Sequence, residues 1–121
     1  MNKKESILNN RIKSVGYAFK GMLLLLKSEA SIKIQCFLGL LVTVAGFYFK
    51  ISASEWAIQI LAIALVLGTE AVNTAIEEMA NFIHPEYHAK IGQIKDMAAG
   101  AVFIVSIFAL IVGLIIYLPK L

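Results

Sequence analysis

Three long runs of apolar residues constrain this chain more than any other feature of its sequence. They cover about residues 32–49, 55–82 and 97–118, and the last of them contains no charged residue. Hydrophobic residues make up 60% of the 121 residues and charged residues only 16%, a balance beyond that of ordinary soluble domains. Helices that are apolar on every side are stable in lipid, where about 20 residues cross the hydrocarbon core. The sequence therefore predicts one all-α membrane domain, residues 1–121, with three transmembrane helices.

An amphipathic helix is predicted before the first run, over residues 6–28. Apolar side chains recur there every three or four residues, whereas Lys13, Lys20 and Lys27 recur every seven. This pattern favours a helix that lies on the membrane surface with its lysines among the headgroups. A helix that binds a soluble partner is the alternative. Most of the net charge of +3 lies in this part of the chain, which indicates anionic lipid rather than nucleic acid as the partner.

The connections between the spans are short polar segments. Residues 50–55 form a turn in which Ser52 and Ser54 are candidate helix caps. Trp56 follows where an interfacial aromatic residue is expected. The segment 83–96 carries proline, glycine and most of the remaining charge, so we expect a loop there.

The distribution of lysines predicts the orientation of the spans. Lysines cluster before the first span and after the second, and the turn between these spans holds one. They are Lys13, Lys20, Lys27 and Lys33, then Lys90 and Lys95, and in the turn Lys50. Cytoplasmic loops carry the excess of lysine and arginine, so the amino terminus and the 83–96 loop are expected in the cytoplasm. No apolar segment followed by a small-residue cleavage site begins the chain, so we expect no removable signal peptide.

Four polar residues share one face of the second span. Glu70, Asn73, Thr74 and Glu77 follow the spacing i, i+3, i+4 and i+7, which aligns them along a helix. A carboxylate within a membrane helix costs on the order of a few kcal/mol, so two on one face indicate a functional site. Polar residues that only pack helices together are the alternative.

The spacing of the two carboxylates predicts different roles for them. Glu70 and Glu77 lie roughly 10 Å apart along a helix axis, too far to act as one dyad. Phosphoryl transfer suits this separation: the outer carboxylate holds a metal on nucleotide phosphates, and the deeper one takes a proton from a lipid hydroxyl. Asn73, between them, is then placed to orient the transferred group.

Lys95 and Asp96 extend this interpretation to the segment before the third span. A lysine neutralises phosphate oxygens, and an aspartate accepts hydrogen bonds from a ribose or an amino group. The alternative is that Asp96 caps a helix that begins at Met97.

Other candidate chemistry is weaker. His84 and His88 are four residues apart, but Pro85 between them argues against a regular zinc site. Cys36 is the only cysteine and lies in an apolar run, so neither an intrachain disulfide nor a cysteine metal cluster is expected. Glu29, taken alone, fits an ordinary interfacial charge equally well. The sequence has no glycine-rich phosphate loop and no kinase catalytic motif, so a nucleotide site must be built from helices and their side chains.

The segments TEAVNTAIEE, EYH and KDMAAGAV together resemble the small prokaryotic diacylglycerol kinase family, which also contains undecaprenol kinases. The signature of that family is a glutamate, an asparagine three residues later, a glutamate seven residues later, and a Lys-Asp pair before the third span. It is present here at Glu70, Asn73, Glu77, Lys95 and Asp96. The resemblance covers residues 11 to 118, including GYAFKG and the glutamate of KSEAS.

The resemblance implies an ATP- and Mg²⁺-dependent lipid kinase in the bacterial cytoplasmic (inner) membrane. Glu70 would accept the proton of the lipid hydroxyl, with Asn73 near the transferred phosphoryl group. Glu29 and Glu77 would bind the magnesium, and Arg11 and Glu70 would contact the lipid. The implied nucleotide contacts are Tyr17, Glu29, Glu77, Glu86, Tyr87, His88, Lys95 and Asp96.

The family assembles as a homotrimer with active sites shared between protomers. An oligomer is also expected on physical grounds, because three thin helices do not enclose ATP, a metal and a lipid headgroup.

The sequence departs from the family pattern at two positions. Some members have a basic residue at the position of Asn10, one before Arg11, and some have a second acidic residue at the position of Gln35.

Diacylglycerol is the preferred substrate from the sequence, and undecaprenol is the alternative. The residues named above handle a hydroxyl and phosphate groups, whereas recognition of the hydrocarbon tail depends on apolar surfaces that the sequence does not distinguish. An alternative of another class is a non-catalytic membrane module that uses its carboxylates for helix assembly.

Overall fold

The computed structural model describes residues 3–121, and all regular elements in this range are helices. They are α1 (Lys3–Ser28), α2 (Ala30–Tyr48), α3 (Ala53–Ile83) and α4 (Ala89–Tyr117), followed by a 3-10 turn, Leu118–Lys120. The last three α-helices are each long and apolar enough to cross a membrane. The predicted all-helical fold, with three spans after an amino-terminal helix, is confirmed.

The third span is longer than predicted, because α4 begins at Ala89 rather than at residue 97. His88 caps the helix: its Nδ1 accepts a hydrogen bond of 3.1 Å from a backbone N–H in the first turn. Gly92 lies inside α4, where a glycine costs about 1 kcal/mol relative to alanine and does not by itself end a helix. The expected loop is therefore limited to residues 84–88, and the alternative that Asp96 is an N-cap is wrong.

Glu29 separates α1 from α2. Its backbone is extended, with φ −108° and ψ 119°, so the two helices are not continuous. In α1, which precedes this junction, apolar side chains such as those of Ile12, Val15 and Leu24 are exposed. The apolar stripe of α1 therefore lacks a cover among the described residues of its own chain, and its placement on a membrane surface stays a prediction.

The register between α3 and α4, which form an antiparallel hairpin, is fixed at both ends. At one end the Lys95 Nζ donates a hydrogen bond of 2.5 Å to the Asn81 Oδ1. At the other end the Tyr117 hydroxyl donates one of 2.5 Å to the Gln59 Oε1. The two contacts are equally far apart on both helices, about 33 Å at 1.5 Å per residue. The two helices therefore keep the same register over a distance close to the thickness of a bilayer core, about 30 Å.

Gln59 also connects α2 to the hairpin. Its side chain is buried, with 3% of its surface exposed, and its Nε2 donates to the backbone carbonyl of Val42 at 3.3 Å. The Tyr117 hydroxyl lies 3.2 Å from the same carbonyl. Nearby, the Lys120 Nζ forms an ion pair of 2.7 Å with the Glu55 carboxylate. Polar contacts thus tie the ends of all three spans together here.

The turn between α2 and α3 has the predicted cap. The Ser52 Oγ accepts a hydrogen bond from the backbone N–H of Glu55, and the Glu55 carboxylate accepts one from the N–H of Ser52. Trp56 packs on Phe47, with ring centroids 4.9 Å apart. Gly46 makes room for this indole, because a Cβ at position 46 would lie 2.7 Å from the ring.

The lengths of the helices place the far end of the hairpin outside the hydrocarbon. α3 has 31 residues and α4 has 29, so each is more than about 40 Å long, whereas a bilayer core is about 30 Å thick. α2 has only 19 residues, and its end is tied to the Gln59 end of the hairpin. The excess length of α3 and α4 therefore projects at the opposite end, where Asn81 and Lys95 meet.

Tyr117→Phe tests the contact that fixes the Gln59 end. The substitution removes the donor to a buried amide oxygen, so we expect the free energy of unfolding in detergent micelles to fall by about 1 kcal/mol. Tyr48→Phe is the matched control, because Tyr48 is 78% exposed and its hydroxyl makes no hydrogen bond among the described residues. Equal unfolding curves for the two variants would contradict the role given to Tyr117.

Candidate active site

The polar stripe of α3 is buried at its membrane end and opens toward the projecting end of the hairpin. Glu70, Asn73 and Thr74 are only 6%, 8% and 5% exposed. Glu77, one turn further, is half-buried, and Asn81 is exposed. The stripe therefore leads from the apolar interior to the headgroup or aqueous region, as a site would that joins a lipid to a soluble substrate.

The Asn73 Oδ1 is the one buried polar side-chain atom in the described part of the chain that lacks a hydrogen-bond partner. Buried acceptors are almost always satisfied in folded proteins, and an exception calls for a specific explanation. Thr74 beside it is satisfied locally, because its Oγ1 donates to the backbone carbonyl of Glu70 at 3.1 Å. The free acceptor of Asn73 points to a partner outside this chain, such as a bound substrate.

Lys95 joins the stripe from α4. Its ammonium contacts the Asn81 Oδ1, and Asn81 stands four residues after Glu77 on the same face of α3. The structure thus brings together the predicted lysine and the open end of the predicted stripe. Asn81 is not among the site residues predicted from the sequence, although its spacing of four residues from Glu77 indicates the same face of the helix.

A pocket of about 690 Å³ lies around the start of α4. Three residues that the resemblance implies as nucleotide contacts, Tyr87, His88 and Asp96, line it together. The remaining lining residues are Ala89, Lys90, Gly92 and Gln93. Glu86, a fourth implied contact, is exposed in the adjoining loop, where its carbonyl lies 2.7 Å from the His84 Nδ1.

The amino-terminal candidates are not brought to this site within one chain. Arg11 and Tyr17 are exposed on α1, and no hydrogen bond or ion pair among residues 3–121 joins either of them to α3 or α4. Glu29 is half-buried at the junction of α1 and α2. Their predicted roles at the site therefore stay predictions.

The donor set fits magnesium held together with a nucleotide. No group of three or more His, Cys, Asp or Glu side chains gathers among the described residues. Mg²⁺ does not need such a cage, since it keeps several waters and usually takes one or two carboxylates together with phosphate oxygens. Glu77 offers carboxylate oxygens of this kind, and ATP would supply the phosphate oxygens. Glu29 is not brought to this site within one chain, and its role as a ligand stays a prediction.

Asn73→Leu separates a functional role of the buried amide from a structural one. Leucine has a similar shape and removes an acceptor that has no partner, so the free energy of unfolding should change by less than about 1 kcal/mol or rise. The expected phosphoryl transfer should be lost. A large loss of stability in a denaturant titration, on the order of 3 kcal/mol, would show that the amide is a packing element instead.

This chain is similar to known proteins over most of its length. Residues 16–117 match the prokaryotic diacylglycerol kinase family. An undecaprenol kinase of Bacillus subtilis (strain 168) is 34% identical over 114 residues, 94% of this chain and 93% of the relative. A diacylglycerol kinase of Escherichia coli (strain K12) is 34% identical over 100 residues, 83% of this chain and 82% of the relative. A third relative, a diacylglycerol kinase of Haemophilus influenzae, is 29% identical over 101 residues, 84% of this chain and 86% of its own length. With its three spans, this chain is therefore a multi-pass membrane lipid kinase that belongs to the prokaryotic diacylglycerol kinase family.

Proposed function

We propose that the chain transfers the γ-phosphoryl group of ATP, with Mg²⁺, to the hydroxyl of a membrane lipid at the cytoplasmic surface. The observation that carries this proposal is the stripe on α3, which runs from the buried Glu70 and Asn73 to the projecting end of the hairpin. A lipid hydroxyl approaches such a stripe from the membrane, and ATP approaches it from the water. The reaction then takes place on the stripe, where the lipid hydroxyl meets the γ-phosphate of ATP.

Glu70 is the proposed proton acceptor. The lipid hydroxyl oxygen forms a bond to the γ-phosphorus, the bond between that phosphorus and the β,γ-bridging oxygen breaks, and ADP leaves. The hydroxyl proton passes to the Glu70 carboxylate, which must lie within hydrogen-bond reach of it. Glu70 suits this role because it is the deepest carboxylate of the stripe and stands closest to the lipid side.

Asn73 and Lys95 are proposed to position the transferred phosphoryl group and to stabilise its charge. Asn73 lies one helical turn from Glu70 and one from Glu77, so its free amide faces the interval that the phosphoryl group crosses. Lys95 adds a positive charge at the open end of the stripe. Positioning and charge stabilisation of this kind supply most of the catalysis in phosphoryl transfer.

Glu77 and Glu29 are the proposed magnesium ligands. The ion neutralises charge on the β- and γ-phosphates when it is bound. Tyr87, His88 and Asp96 would hold the nucleoside part in the pocket at the start of α4, the helix that also carries Lys95.

Undecaprenol is the substrate that we propose to test first. The Bacillus subtilis relative named for it matches 94% of this chain, whereas the Escherichia coli relative named for diacylglycerol matches 83%. Surfaces outside the shared motif would contact the hydrocarbon tail, and the match to the undecaprenol kinase also covers 93% of that relative. A relative named for diacylglycerol matches 93% of this chain but only 65% of its own length, so we test undecaprenol before diacylglycerol, the substrate preferred from the sequence. Diacylglycerol is the second candidate because it presents the same kind of hydroxyl.

A homotrimer with shared sites is the proposed assembly. One chain leaves the apolar stripe of α1 exposed and leaves Arg11 and Tyr17 away from α3. In a trimer, residues of α1 would reach the stripe on α3 of a neighbouring copy instead of the stripe of their own chain.

The lipid assignment is tested by transfer of labelled phosphate from ATP in mixed micelles that contain undecaprenol or diacylglycerol, with and without Mg²⁺. We expect transfer only with Mg²⁺, and a value of kcat/KM at least about tenfold higher for undecaprenol, the ratio that one or two tail contacts supply. A preference for diacylglycerol would reverse the choice of substrate. Folded protein that phosphorylates neither lipid would overturn the proposed activity.

Glu77→Gln tests the magnesium role, with Glu78→Gln as the matched control. The two residues are neighbours, but Glu77 lies on the stripe and Glu78 is exposed. Loss of one carboxylate ligand should raise the Mg²⁺ concentration needed for half-maximal rate by roughly tenfold or more, a typical cost around a metal site. Glu78→Gln should leave it unchanged. A Glu77→Gln protein that loses its oligomer, by light scattering in detergent, would instead support a role of the carboxylates in helix assembly.

A further inference from the structure

We propose that Asn81 is a positioning residue for the reaction, and that it acts by holding the ammonium of Lys95 at the open end of the stripe. This inference rests on the proposed function and deepens it, because it assigns a role to a residue outside the family signature. Its basis is the hydrogen bond of 2.5 Å from the Lys95 Nζ to the Asn81 Oδ1, which crosses from α4 to α3.

The contact leaves Lys95 able to bind phosphate. An ammonium group has three donors, and Asn81 occupies one of them. Glu77 stands on the turn of α3 before Asn81, so the same ammonium lies at the end of the stripe where the phosphates are proposed to enter. The two remaining donors are available to phosphate oxygens there.

An amide oxygen suits this task better than a carboxylate. A lysine side chain has a flexible four-carbon stem and loses considerable rotamer freedom when it is fixed. Asn81 fixes its end without neutralising it, so the full positive charge remains for the phosphates. Asp96, the next residue on α4, lines the adjoining pocket with Tyr87 and His88, and it is not a hydrogen-bond partner of Lys95 within the described part of the chain.

The alternative role is a clamp that only closes the α3–α4 hairpin. Asn81 is exposed and Lys95 is half-buried, and hydrogen bonds at such places add little to stability. The register of the hairpin is also fixed independently at its other end by Gln59 and Tyr117. A clamp role predicts changes in unfolding, whereas a positioning role predicts changes in the use of ATP.

The experiment compares the unsubstituted protein with Asn81→Ala, Asn81→Leu, Lys95→Ala and the Asn81→Ala, Lys95→Ala double variant. For each, kcat and KM are measured separately for MgATP and for the lipid, and thermal unfolding is recorded in the same micelles. Asn81→Ala and Asn81→Leu should lower kcat/KM for MgATP by roughly tenfold, the range of a charge-assisted hydrogen bond, with an unchanged KM for the lipid. Asn81→Asp retains an acceptor oxygen but neutralises the ammonium of Lys95, so it should restore only part of the loss.

The double variant is the decisive comparison. If Asn81 acts only through Lys95, the double variant has the activity of Lys95→Ala and no less. Glu78→Ala, a truncation of an exposed side chain nearby on α3, should match the wild type in both kinetics and unfolding.

The outcomes distinguish a failure of this inference from a failure of the proposed function on which it rests. Wild-type protein without lipid phosphorylation would overturn the proposed function, and the inference with it. A fully active Lys95→Ala would remove the role of Lys95 and so the inference, but not the kinase activity. An impaired Lys95→Ala with a fully active Asn81→Ala, or additive losses in the double variant, would overturn the inference alone.

Discussion

The antiparallel register of α3 against α4 is the constraint on which the rest of the molecule depends. Polar contacts about 33 Å apart mark it, with Gln59 and Tyr117 at one end and Asn81 and Lys95 at the other. Because both helices exceed the thickness of a bilayer core, this register also decides which residues project from it. It places a lysine of one helix at the open end of the carboxylate stripe of the other, as phosphoryl transfer requires.

The two ends of the hairpin serve different purposes. The Gln59 end is closed by hydrogen bonds to α2 and by the ion pair of Glu55 with Lys120, so it acts mainly in stability. The other end holds an unpartnered amide at Asn73 and a lysine bound to a neutral acceptor. Such groups add little to folding, and they leave hydrogen-bonding capacity for substrates. In the proposed mechanism, stability and chemistry are therefore separated along one pair of helices.

Helical periodicity carried most of the sequence prediction, because apolar runs and the i, i+3, i+4, i+7 spacing of Glu70 to Glu77 depend only on local geometry. The cap at Ser52 was predictable for the same reason. The start of α4 was missed, because a histidine cap at residue 88 outweighs the weak helix-breaking effect of Gly92. Asn81 was missed because its role depends on a partner on another helix. Glu29 was assigned to the site only through the family resemblance, because its partners at a shared site would lie on another protomer.

Glu70→Gln tests the central claim most directly, because the variant keeps the size and polarity of the side chain and removes only its basicity. The measurement pairs lipid phosphorylation with MgATP binding and oligomeric state, all on the same preparation. We expect phosphorylation to fall by at least about a hundredfold, within the range attributed to a general base, while nucleotide binding and assembly are retained. A folded Glu70→Gln protein with wild-type turnover would contradict it.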